Sequence, residues 1–263
     1  MQYKLRSATR THRGLVRGNN EDSFYVGDRL ILVADGMGGH AAGEVASSIT
    51  KDMLAALDDV EPTDDMTAEL GRGIDNATAE IARRVAADPE LEGMGTTLTV
   101  VMFGEKRSAV ANIGDSRAYL YQRDSAKLTQ LTSDDSFVQV MVDNGDITAD
   151  QAQHHPYRNI VLKSLNGKEV EPRFTTLMRM LGDRYLLCTD GLSDYVVRDD
   201  IVKALEVENL DEAADRLIVL ALEAGAPDNV TVVLVDLVEV EDPIADASDP
   251  AIDGPVQAES ARR

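Results

Sequence analysis

At three places in this chain an acidic residue stands at the end of an apolar run: Leu30-Ile31-Leu32-Val33-Ala34-Asp35-Gly36, Tyr185-Leu186-Leu187-Cys188-Thr189-Asp190-Gly191, and Asp228-Asn229 ahead of Val230-Thr231-Val232-Val233-Leu234-Val235. Each run suits a strand buried on both faces, and the glycines permit backbone conformations that other residues resist. Strand ends on one side of a sheet can converge although they are far apart in sequence. Asp35, Asp190 and Asp228 can therefore meet, with Glu21 and Asp22 on a neighbouring loop. Carboxylates packed together repel unless cations intervene, so a convergent set implies divalent metal. An all-oxygen ligand set favours Mg or Mn over zinc or copper. With one carboxylate bridging, such a site can hold two metals and a hydroxide between them, which supplies a nucleophile without Ser or Cys. The plainer alternative for Asp35-Gly36 is an ordinary turn, with His40 a residue at a helix start.

Other routes to phosphate-ester or acyl chemistry fit less well. Cys188 has no arginine six residues on, where a cysteine-dependent phosphatase would hold its phosphate, and His12-Arg13-Gly14 is not the Arg-His-Gly order of histidine phosphatases. Met37 stands where an aspartyl-phosphate enzyme would have its second aspartate. The chain has no Gly-x-Ser-x-Gly elbow and no Walker loop. Metal-assisted hydrolysis is what remains.

The elements that must position these groups are legible from periodicity. Between Ser7 and Val26 the pattern predicts a strand, a loop carrying Glu21 and Asp22, and a second strand entering at Phe24. Ala42, Val45, Ala46, Ile49, Met53 and Leu57 recur at helical spacing, as do Met66, Leu70, Ile74, Ala77, Ile81 and Val85, although Gly71 and Gly73 weaken the second stripe. Gly95 to Phe103 reads as one strand. Ser108–Ile113 and Arg117–Tyr121 read as a strand pair joined by the tight turn Gly114-Asp115-Ser116. From Thr132 to Asn166 the chain is polar, a mobile insertion with a helix over Phe137 to Asp143. Asn209 with Glu212 resembles a capping box for a helix running to Gly225. His154 and His155 read as surface, and Cys188 as a small core hydrophobe.

The chain has 263 residues, 43% of them hydrophobic, enough for one large domain or two small ones, and one is the simpler expectation. Residues 1–240 form the expected domain. Beyond them lie six acids, two arginines and no apolar period, the composition of a disordered acidic tail over 241–263. A single cysteine rules out an internal disulfide and fits a reducing compartment. No apolar leader and no run of ~18 apolar residues is present, so a cytoplasmic protein without a membrane span is expected. A formal net charge of -21 argues against nucleic acid as a partner, and a phosphate-bearing ligand would need local positive charge, as from bound metal.

Six segments carry a family resemblance: Arg17-Gly18-Asn19-Asn20-Glu21-Asp22, Asp35-Gly36-Met37-Gly38-Gly39-His40 with Gly43-Glu44, Gly95-Thr96-Thr97, Gly114-Asp115-Ser116-Arg117, Asp190-Gly191-Leu192-Ser193-Asp194 and Asp228-Asn229-Val230-Thr231. In this order they resemble the motifs of bacterial metal-dependent Ser/Thr protein phosphatases of type 2C, from about Ser7 to Val238. The resemblance implies an α+β fold, a four-layer α/β/β/α sandwich of two central antiparallel sheets flanked by helices. It implies two Mg2+ or Mn2+ ions, with a weaker third. By motif position Asp35 matches the bridging ligand, Asp190 and Asp228 the first metal's ligands, and Glu21 with the Gly36 carbonyl the second's. Asp115 matches the third-site ligand that acts with Asp190, and Asp22 an outer carboxylate orienting water. Arg17 matches the arginine that grips the substrate phosphate, and His40 the general acid for the leaving alkoxide. The stretch from Ser133 to Tyr157 matches a flap beside the site.

Three positions depart from the family pattern: His12 stands where Asp is usual, Asp135 where His is frequent, and Asn166 where Gly is common. None is a proposed ligand. The expected activity is hydrolysis of phosphoserine and phosphothreonine monoesters by a metal-bridged hydroxide, opposing a bacterial Ser/Thr kinase, with phosphorylated proteins as partners and a monomeric enzyme. The alternative is a non-catalytic phosphoprotein-binding or partner-switch module on the same fold. The intact carboxylate set favours the enzyme.

Overall fold

A run such as Leu30-Ile31-Leu32-Val33-Ala34 is apolar at every position, so it needs cover on both faces, and alternation along a strand decides which neighbour each side chain meets. The computed structural model describes residues 3–38, 42–60 and 65–239. In chain order the strands are β1 (Tyr3–His12), β2 (Ser23–Val26), β3 (Leu30–Ala34), β4 (Gly36–Met37), β5 (Gly95–Thr96), β6 (Leu98–Phe103), β7 (Arg107–Ile113), β8 (Arg117–Gln122), β9 (Lys127–Gln130), β10 (Arg173–Met178), β11 (Arg184–Cys188) and β12 (Val230–Glu239). The helices are α1 (Ala42–Ala55), α2 (Met66–Ala87), α3 (Phe137–Asp143), α4 (Ala149–Gln153), α5 (Asp190–Ser193), α6 (Arg198–Leu205) and α7 (Leu210–Glu223). One antiparallel sheet has the order β1-β12-β11-β8-β9 and the other β10-β7-β6-β3-β2.

Three cores follow from this stacking. Ile31 and Val33 of β3, Val101 and Phe103 of β6, Tyr185 and Leu187 of β11, and Val233 and Val235 of β12 pack between the sheets, where the Phe103 and Tyr185 rings meet edge-on at 5.1 Å. Leu30, Leu32 and Ala34 point the other way, into a layer formed with α1 and α2. Leu186, Cys188, Val232 and Leu234 similarly meet α6 and α7. The arrangement is the expected α/β/β/α sandwich. Among the described residues no helix is long and apolar enough to cross a membrane. Residues 241–263, expected to be a tail, lie outside the described residues.

Several expectations are corrected. Ser108–Ile113 and Arg117–Tyr121 are not a hairpin: β7 belongs to one sheet and β8 to the other. Gly114-Asp115-Ser116 instead carries the chain across the sandwich, held by Thr99 Oγ1 donating to the Ser116 carbonyl at 2.8 Å. The segment from Gly95 is broken at Thr97 into β5 and β6, because its peptide turns aside to bond Asp35. Strands β9 and β10 and helices α4, α5 and α6 carry no strong period and were not expected. By contrast α3 spans Phe137–Asp143 as predicted. The Asn209 side chain caps α7 by accepting from the Asp211 and Glu212 N–H groups.

The two glycines in α2 differ in kind. A Cβ on Gly73 would lie 2.8 Å from Leu54 and 2.9 Å from Leu57, so Gly73 lets α2 approach α1, whereas nothing lies within 4 Å at Gly71. Gly71→Ala should therefore raise stability by up to ~1 kcal/mol through helix propensity alone. Gly73→Ala should lower it by ~1–3 kcal/mol through overpacking. Denaturant midpoints of the two variants, read at equal slope, test the contrast.

Candidate metal centre

The three strand-end carboxylates owe their positions to backbone contacts. Asp35 sits between β3 and β4: its N–H donates to Thr97 Oγ1 at 3.0 Å, and its carbonyl accepts from the Thr97 N–H at 2.9 Å and from Thr96 Oγ1 at 2.9 Å. Its side chain is left free to face the cavity. Asp190 opens α5 directly after β11, and Asp228 precedes β12. These two exits touch closely, since a Cβ on Gly191 would lie 1.9 Å from the Asn229 carbonyl oxygen. Gly14, at φ +78°, brings the loop after β1 as near to Asp228: a Cβ there would stand 2.1 Å from its carbonyl oxygen.

Asn229 ties the loop bearing Glu21 to this junction. Its Oδ1 accepts from the Glu21 N–H at 2.8 Å, and its Nδ2 donates to the carbonyls of Arg13 and Asn19, both at 2.9 Å. Asp22 is fixed from behind: Thr231 Oγ1 donates to its Oδ2 at 2.6 Å and Thr189 Oγ1 at 3.0 Å. The Glu21 carboxylate nestles against Gly43, where a Cβ would lie 2.1 Å from Oε2 and 2.7 Å from the Gly36 carbonyl carbon. Any side chain at Gly43 would drive Glu21 away from Gly36.

Arg17, Glu21, Asp35, Gly36, Asp115, Asp190 and Asp228 line one polar cavity of about 220 Å³. Loss of water pushes the Asp35 and Asp190 carboxyls well above the usual range, and the charges of their acidic neighbours add to this. Burial likewise raises Asp22 and Asp115 to about 7. Asp190 Oδ1 and Asp22 Oδ1 are buried without a hydrogen-bond partner. Buried acceptors left unpaired among mutually repelling carboxylates fit a divalent cation. Among the described residues no three Asp, Glu, His or Cys side chains grip a single point as they stand. Arg17 Nη2 takes Asp228 Oδ2 at 2.7 Å, and Asn19 Nδ2 takes Glu21 Oε1 at 2.9 Å. The donor set fits the metal, with those two contacts giving way to it.

A folded-state carboxyl pKa above its unfolded value means that the folded chain holds the proton more tightly. The stability this contributes is present below the unfolded value near 4 and is lost as pH rises to about 7. In chelator, Tm should therefore fall across this window. The gain in Tm given by Mn2+ should grow with pH, on the order of 5 °C more at pH 7 than at pH 5. A gain that does not vary with pH would detach the cluster from metal binding.

Of the site residues named from sequence, His40 lies outside the described residues. Asp22 stands behind the cavity rather than on its wall, and the other seven share it. A second cavity of about 140 Å³ runs beneath α3 and α4, shares Asp115, and is walled by Arg117, Asp134 and Asp194. This sets the expected flap beside the site. Sequence reasoning did not single out Asn19, Asn159, Asn229, Thr96 or Thr97. Asn19, Asn229 and the threonines lie inside the family motifs, but their polar types alone do not say which group they hold. The departures are accommodated locally. His12 Nδ1 accepts from the Gly14 N–H at 3.0 Å, Asp135 Oδ2 from the Gly114 N–H at 3.3 Å, and Asn166 Oδ1 from the Lys168 N–H at 3.2 Å.

Residues 11–224 match the family model described as protein phosphatase 2C. The chain is 52% identical over 237 residues to the serine/threonine protein phosphatase PstP of Mycobacterium tuberculosis, covering 90% of this chain and 46% of that protein. It therefore spans about half the length of that relative. It is 37% identical over 239 residues to the serine/threonine phosphatase stp of Listeria innocua, covering 86% of this chain and 94% of that one. Among solved structures, the M. tuberculosis PstP/Ppp crystal structure superposes with a TM-score of 0.87 at 52% identity, covering 90% of this chain and 100% of that one. The PstP catalytic domain in complex with two manganese ions gives 0.85 at 50% identity, with the same coverage.

Proposed function

Because the chain belongs to the protein phosphatase 2C family, we propose that it is a metal-dependent protein serine/threonine phosphatase, acting on phosphoserine and phosphothreonine of cytoplasmic proteins in a signalling circuit run by a Ser/Thr kinase. The observation that carries this reading is the meeting of Asp35, Asp190 and Asp228 with Arg17 around one polar cavity. The two manganese ions of the PstP relative support the same reading. Asp35, Asp190, Asp228, Glu21 and the Gly36 carbonyl would hold the two ions, with Asp35 shared between them, and Asp115 with Asp190 would hold a weaker third. When bound, Mg2+ or Mn2+ supplies Lewis acidity and an acidified water.

The chain's own groups do the rest. Arg17, with its side chain 57% exposed at the cavity, offers a planar fork of donors to the phosphoryl oxygens once it leaves Asp228. His40 delivers the proton to the leaving serine or threonine oxygen. Asp22, braced by Thr189 and Thr231, keeps an acceptor fixed behind the ligands and so orients water. The enzyme works as a monomer. A non-catalytic phosphoprotein binder would have no use for a convergent set of mutually repelling carboxylates.

The test is hydrolysis of a chromogenic aryl phosphate and of a phosphothreonine peptide with Mn2+, with and without chelator. Turnover that needs the metal is expected, and its absence would favour the binding module. Arg17→Ala should raise KM about tenfold or more with a smaller loss in kcat, the scale of one charged hydrogen-bond pair. An unchanged KM would remove Arg17 from the phosphate.

A further inference from the structure

The end of the sandwich away from the acidic cavity carries an apolar surface of its own. Met178, Met180 and Leu181 are 62%, 60% and 43% exposed. With Tyr3, Glu105, Lys106 and Arg179 they line an open groove of about 600 Å³. Apolar side chains grouped this way on a polar rim mark a surface that something covers. Two cations, Lys106 and Arg179, stand in the groove beside the acid Glu105, on a chain of net charge -21. Among the described residues neither Lys106 nor Arg179 has a carboxylate partner. Arg179 lies 3.4 Å over the Tyr3 ring, donates Nη2 to the Glu105 carbonyl, and keeps Nη1 buried with no acceptor.

We propose that this groove is the docking site of the chain's own residues 240–247. Glu239, the last described residue, is the register partner of Tyr3 across β1 and β12, so the chain continues from the groove's wall. Five further residues reach up to ~17 Å when extended, enough to cross the groove. Their chemistry is complementary: Glu241, Asp242 and Asp246 for Lys106 and the orphaned Arg179 donor, and Ile244 for Met178, Met180 and Leu181. Pro243 limits the conformations lost on docking. Tethering makes the contact intramolecular, so modest complementarity suffices.

Spin-labelling tests this in the full chain. Cys188 is buried with its thiol pushed up to about 12, so a nitroxide attached at Ala245→Cys reacts at one position. With methionine methyls isotopically labelled, the Met178 and Met180 signals should lose most of their intensity while Met37 and Met141 keep theirs. High salt should restore part of the loss, because the charge contribution is screened. Adding Lys106→Glu and Met180→Asp to the labelled chain should restore Met178. Unbroadened Met178 and Met180 signals overturn the proposal. Equal broadening in a mixture of spin-labelled and isotope-labelled chains would assign the groove to a second copy and overturn it as well. The measurement reads position, not turnover, so its outcome is separate from the phosphatase reading.

Discussion

Asp35→Ala should abolish metal-stimulated phosphate release, by at least about a thousandfold, or ~4 kcal/mol of barrier, and leave the fold intact. The two halves of this expectation come from different atoms of one residue. The peptide of Asp35 makes the structural bonds, to Thr96 and Thr97, and alanine keeps them. Among the described residues the carboxylate makes no hydrogen bond, and it sits among Asp22, Asp190, Asp115 and Asp228, whose charges oppose its ionisation. Removing it relieves repulsion, so the chelated variant should melt no lower than the parent. What disappears is the rise in Tm on adding Mn2+. Asp190→Ala should behave alike, since its buried Oδ1 has no partner to lose. Asp22→Ala, by contrast, strands two threonine hydroxyls and should cost stability as well. Near-normal turnover in Asp35→Ala would sink the bridging assignment.

Asp236→Ala should be the most damaging substitution for stability, costing ~3–5 kcal/mol because it leaves a buried guanidinium uncompensated. Arg184 is fully buried, and its Nε and Nη2 bond the two Asp236 oxygens at 2.7 and 3.0 Å. Arg123 and Arg6 approach the same carboxylate from the rim. The remaining Arg184 donors reach the carbonyls of Leu205, the last residue of α6, and of Val207 and Glu208 just beyond it, so the cluster ties β11 and β12 to the helical layer. At this chain length the loss amounts to a Tm lower by about 10 °C. Activity per folded molecule should be unchanged, because Asp236 lies six residues, ~20 Å of strand, from Val230 at the catalytic end. Should the single variant fail to fold, Arg184→Met with Asp236→Leu provides the check: replacing both charges by apolar groups should recover most of the loss. A double variant no more stable than the single would show that the ion pair is not the cause.

The family and the sandwich were legible because the signals that carry them are local. Continuous apolar runs need two covered faces, stripes at helical spacing need one, and carboxylates at the ends of such runs are visible without coordinates. Elements whose side chains do not alternate were missed. Strand β10 is exposed along most of its length and is a strand only because β7 pairs with it, while α4 and α5 are too short to show a period.

The tertiary structure decided which strands share a sheet. Gly114-Asp115-Ser116 looks like a hairpin turn in any short window, and only the partners available to β7 and β8 send them to opposite layers. It also decided what holds the carboxylates in place. Asn229, Thr97 and the glycines at 14 and 191 act on backbone groups as much as two hundred positions away. The chain's chemistry was set by residue types that keep their character anywhere. Where those residues meet was set by close packing, which depends on every neighbour at once and leaves no mark in a single stretch of sequence.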